Sequence, residues 1–178
     1  MKNRLGRIST IAFAAFLTAS SAVAQKHKWA GRSLDNIEWA VHEKLAVLPF
    51  YGVFDTVRFE IDGNTVTLSG SVVRESVKLN AERAVRQVAG LQKVVNNIEL
   101  LPSSPRDEAL RKNLYRAIYG EQTQNQGGAR EIPPVHIIVK NGWASLEGVV
   151  NSDSDRNMIR TRALSITAHL SDNVRVAN

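Results

Sequence analysis

Apolar and polar residues alternate from Val57 to Val73, and the same alternation returns from Val135 to Val150. In the first stretch Val57, Phe59 and Ile61 share one face of an extended chain. The Asp62-Gly63-Asn64 turn follows, and Val66 and Leu68 resume that face. Period-two patterning on both sides of residues that tolerate positive φ predicts a β-hairpin. In the second stretch Val135, Ile137 and Val139 lead into Asn141-Gly142 and then Ala144 and Leu146. An offset of 78 residues lays Val57 on Val135, Ile61 on Val139, Leu68 on Leu146, Gly70 on Gly148 and Val72 on Val150. The pattern is an internal duplication.

Helical spacing surrounds each hairpin. Ser33 stands where a cap is needed, and Leu34, Ile37, Val41 and Leu45 make one apolar stripe that leaves Trp39 on the far side until Pro49 ends the helix. A second helix starts near Arg74 or Glu75. It buries Val77, Ala81, Ala84, Val85 and Val88 and turns Lys78, Glu82, Arg83 and Arg86 outward, before Gly90 and a single strand over 91–100. Pro102-Ser103-Ser104-Pro105 marks a boundary, with Ser104 as a cap and Pro105 at the first helical position. The helix from Pro105 to about Tyr119 buries Leu110, Leu114, Ala117 and Ile118. Its predicted outer face carries Arg111, Lys112, Tyr115, Arg116 and Tyr119. The spacing then predicts a closing helix over 158–170, with Ile159, Ala163, Ile166 and Leu170 inward, and a short last strand at 174–176. Each copy reads helix, strand, strand, helix, strand.

The amino end adds a compartment. Lys2, Arg4 and Arg7 precede an apolar run from Ile11 to Leu17 and the small residues Ala22-Val23-Ala24, the layout of a secretory signal peptide over 1–24. A basic segment, 25–32, follows with Lys26, Lys28 and Trp29, which read as secondary candidates for an interface contact. The first domain is expected at 33–101 and the second at 102–178, the latter with a polar loop insertion at 120–131 that lacks the ending of a phosphate-binding loop. With no cysteine the chain has neither a disulfide nor a lipid-modified cysteine. Three of the 23 basic residues fall within the leader, so the exported part would hold 20 against 17 acids, a mild excess of about three. That balance allows an anionic surface as partner and is too weak for a nucleic-acid footprint.

Catalytic chemistry finds little purchase. His27, His42, His136 and His169 are scattered without metal-ligand spacing, and no nucleophile elbow occurs. Asp153 and Asp155 flank Ser154 where a helix begins, a place that suits acids for its dipole. The expectation is a non-enzymatic protein without metal or cofactor.

The hairpin ending in Leu68-Ser69-Gly70-Ser71-Val72, the helix with Ala81, Val85 and Val88, and Gly90-Leu91-Gln92-Lys93-Val94-Val95-Asn96-Asn97 resemble the BON domain, a bacterial module named for osmotic-shock and nodulation proteins. Leu146-Glu147-Gly148-Val149-Val150 carries the resemblance into a second, more divergent copy, where Ala168 replaces Gly90. The resemblance implies an α+β fold of two tandem domains, each a small mixed sheet packed against two helices. It also implies a periplasmic or envelope location and attachment to phospholipid membranes. Gly63, Gly70, Gly142 and Gly148 read as turn and fold glycines. The lipid-binding candidates are Arg111, Lys112, Tyr115, Arg116 and Tyr119, with Trp143 as an anchor at the hairpin tip. The alternative is a protein-interaction or stress-protective module that holds an envelope protein at a sheet edge or in the interdomain groove.

Overall fold

The computed structural model describes residues 33–120 and 132–177. The leader, the basic segment with Lys26, Lys28 and Trp29, and 121–131 of the polar loop lie outside the described residues. The chain runs α1 (Ser33–Ala46), β1 (Thr56–Asp62), β2 (Thr65–Val72), α2 (Glu75–Val85), β3 (Lys93–Asn96), β4 (Glu99–Leu100), α3 (Pro105–Tyr119), β5 (Val135–Lys140), β6 (Trp143–Val150), α4 (Asp153–Leu164) and β7 (Leu170–Val176). The result is an α+β molecule with two small mixed sheets.

In the first sheet β1 pairs antiparallel with β2, from Thr56 opposite Ser71 to Asp62 opposite Thr65. β2 then pairs parallel with both β3 and β4. A parallel partner needs a crossover, and α2 supplies it. The second sheet repeats the plan, with β5 antiparallel and β7 parallel to β6. Val57 and Phe59 on β1, Val66, Leu68 and Val72 on β2, and Val77, Ala81 and Val85 on α2 meet Val41 and Leu45 of α1 in the first core. Leu114 and Ile118 of α3, Val135, Ile137 and Val139 of β5, and Ile159 and Ala163 of α4 build the second.

Gly70 and Gly148 earn their place in the duplication by close approach. A Cβ at Gly70 would stand 2.2 Å from the Thr56 carbonyl oxygen, and one at Gly148 would stand 2.1 Å from that of Pro134. At both positions the chain entering the hairpin crosses the strand leaving it, with no space for a side chain. The second hairpin turn has positive φ at both central residues, 53° at Asn141 and 80° at Gly142, which matches the strand twist.

Three expectations change. The strand over 91–100 breaks into β3 and β4, because the Asn96 side chain leaves the ladder, accepting from Ile98 N–H and donating to the Lys78 carbonyl and Glu82. The closing helix covers 153–164, capped by Ser152, whose hydroxyl accepts from Asp155 N–H. Ile166 is exposed, and Leu170 opens β7, which is seven residues long and exceeds β3. Helical and strand spacing cannot be told apart when the apolar residues are four apart and the Gly90 stop signal is replaced by Ala168.

The halves meet along β5. It is buried on both faces, unlike the half-buried strand the alternation predicts, because residues 51–58 cover His136 and the strand margin. Val53 and Phe54 of the first half pack against the second core, and the Ile137 N–H donates to the Val53 carbonyl at 2.8 Å. Ion pairs join Arg58 to Glu147 at 3.1 Å and Lys140 to Glu99 at 2.6 Å.

Candidate functional site

The tip of the second hairpin is fixed from below. Ser104 caps α3, its hydroxyl accepting from Asp107 N–H at 3.4 Å. That seats Asp107, 1% exposed, under the turn, where its carboxylate accepts from the N–H groups of Asn141 at 2.9 Å and Gly142 at 2.8 Å. A buried carboxylate with several charge-assisted bonds holds a turn firmly. Arg106, one residue earlier, lays its guanidinium over Gly142, 3.8 Å from where a Cβ would stand. Trp143 follows the turn and is 60% exposed, its ring stacked on His169 with centroids 4.7 Å apart. Lys140 precedes it and is held by Glu99. An indole, two cationic side chains and an imidazole thus share one end of the second sheet.

The other candidates do not join this tip. Arg111, expected on the outer face, is 3% exposed and points inward, donating to the Val139 carbonyl at 2.7 Å. Its position faces β5, where an outward carbonyl requires a donor, so the helix turns a cation toward the sheet. Tyr119 donates its hydroxyl to the Val135 carbonyl at 2.6 Å, and burial pushes its pKa well above the usual phenol value. Tyr115 is half-buried between the rings of Phe54 at 6.0 Å and Tyr119 at 5.4 Å. The predicted lipid-facing surface is in large part a face that docks the halves and closes a strand. Lys112 remains exposed beside Glu108, and Arg116 is exposed toward the far end of α3. Ten residues of helix, about 15 Å, separate Arg116 from Arg106.

Four backbone groups along the outer edge of β5 and its turn have partners outside the sheet. Val135 C=O accepts from Tyr119, Ile137 N–H donates to Val53, Val139 C=O accepts from Arg111, and Asn141 N–H donates to Asp107. These partners interrupt the ladder that this edge would otherwise offer to a foreign strand.

Arg106 and His169 were not singled out by sequence. Arg106 is displayed by its place beside the Ser104 cap, which is readable. His169 meets Trp143 only through the parallel pairing of β6 with β7, which begins at Ala144 opposite Leu170. Among the described residues no group of three or more His, Cys, Asp or Glu could hold a metal ion. No described helix is long and apolar enough to cross a membrane.

A helix, a hairpin, a crossover helix and a parallel strand, with a glycine where the hairpin strands cross, define a small α+β module that recurs in both halves. Residues 34–102 match the family model of the BON domain, so the first half of the described chain is a BON domain. Seven chains among the solved structures are similar to this protein. Two are from CdsD, a structural protein of the type III secretion system of Chlamydia trachomatis. One is 15% identical with a TM-score of 0.30, covering 80% of this chain and 92% of that chain. The other, the CdsD C-terminal domain, is also 15% identical, with a TM-score of 0.27, covering 82% of this chain and 97% of that chain. No curated protein matches the chain.

Proposed function

We propose that this is an exported, periplasmic, non-enzymatic envelope protein that binds anionic phospholipid surfaces through the tip of its second hairpin and supports envelope integrity under osmotic stress. Residues 102–178 are then a divergent second BON domain. Support for that comes from the shared strand order and from Gly148, which meets the preceding chain as Gly70 does.

The observation that carries the reading is the exposed Trp143 on a turn that Asp107 immobilises beside Arg106. A rigid indole enters the headgroup region without losing loop freedom, and cations beside it gain from anionic lipid. Lys112 and Arg116 serve as a secondary basic margin. Co-sedimentation of the mature chain, 25–178, with phosphatidylglycerol-containing and neutral vesicles tests this. Binding should be selective for the anionic vesicles and should weaken from low to high salt, as the screening length falls to about 8 Å at physiological ionic strength. Trp143→Ala should reduce binding about tenfold. Unaltered binding by Trp143→Ala and by Arg106→Glu sinks the assignment.

The protein-interaction reading keeps the outer edges of β1, β3 and β7. β5 is closed to it.

A further inference from the structure

His136 lies in the seam between the halves, 2% exposed, with its ring 5.5 Å from that of Tyr51. Neither ring nitrogen makes a hydrogen bond of good geometry, and the backbone of Gly52 and Asp55, which approaches the ring and favours its protonated form, offsets burial only in part. The charges around it are committed elsewhere. Glu147, its register partner on β6, takes Arg58 and Thr56 on one carboxylate oxygen and faces Ser145 with the other. Asp55, from the segment packed over β5, takes the N–H groups of Gly52 and Val73, with Arg74 and Arg111 as its nearby cations. A protonated imidazole would therefore sit buried in the seam with the neighbouring carboxylates engaged elsewhere, and a buried unpaired charge is costly.

We propose that the seam is a proton-operated latch: neutral His136 lets the halves close, and protonated His136 drives them apart, releasing Val53 and Phe54 from the second core. Burial depresses the imidazole below its ordinary value of 6.5, which agrees in direction. The open form takes up a proton near 6.5 and the closed form only at lower pH. Closure is therefore at full strength above that value and weakens as pH falls through it. Asp55 acts in the opposite sense, because burial raises its pKa and its protonation accompanies the closed form.

The chain has no cysteine, so a pair introduced at exposed Leu79 and Met158 reports the distance between α2 and α4 by spin labelling. The expected result is one narrow distance at pH 7.5 that broadens and lengthens between pH 6.5 and 5, in step with protonation of His136 followed by imidazole NMR. His136→Phe, neutral throughout, should stay narrow to pH 5. His136→Gln makes the same comparison if the phenyl ring does not fit. A wild-type distance that stays narrow down to pH 5, or opening that persists in the neutral variants, overturns the latch.

Discussion

At the scale of single residues the fold depends on atoms with no room to change. Gly70→Ala and Gly148→Ala would drive a methyl group into a backbone carbonyl, and each should cost roughly 3 kcal/mol, read as a shift in the urea midpoint. Asp107→Ala leaves two turn N–H groups without their acceptor and should cost about 2 kcal/mol. It should also loosen Trp143, visible as faster depolarisation of its emission. Tyr119→Phe removes one hydroxyl from β5 and should cost about 1 kcal/mol by the same measurement. Gly70 and Gly148 are legible in the sequence, because the duplication places them in register beside Leu68 and Leu146. Asp107 is not, because its two acceptor bonds join positions 34 and 35 residues away.

At the scale of elements, α3 shows what periodicity cannot say. Its apolar stripe of Leu114 and Ile118 is found where the spacing puts it, and the Ser104-Pro105 start holds to the residue. Arg111 lies on the margin of that stripe, and a wheel alone treats such a residue as solvated. The strand beside it has an unmet carbonyl, and that demand decides its direction. Arg111→Glu should therefore unfold the second half, with a melting temperature lower by about 10 °C and an acid facing the Val139 carbonyl. Arg116→Glu should leave the melting temperature unchanged and weaken anionic vesicle binding severalfold. The pair of variants separates a structural cation from a surface one. The β7 strand makes the same point, since it forms despite Ser171, Asp172 and Asn173 because parallel pairing along β6 from Ala144 to Val150 supplies its hydrogen bonds.

At the scale of the molecule, the order of elements and the two cores were readable from apolar spacing, whereas the way the halves lock was not. The seam is built from the approach segment around Val53, which has no strong pattern of its own, and from Tyr51, Phe54 and His136, whose partners are 85, 61 and 85 residues away in the other half. Nothing local in those residues announces the contact. The consequence falls on any attempt to take the molecule apart. Since the Val53 carbonyl completes the margin of β5, the second half cannot be severed at Pro102 without leaving Ile137 N–H and its apolar surroundings bare. Sedimentation velocity should find a 102–178 fragment forming lateral aggregates more readily than the whole chain, and a synthetic peptide spanning 49–56, added in trans, should dissolve them.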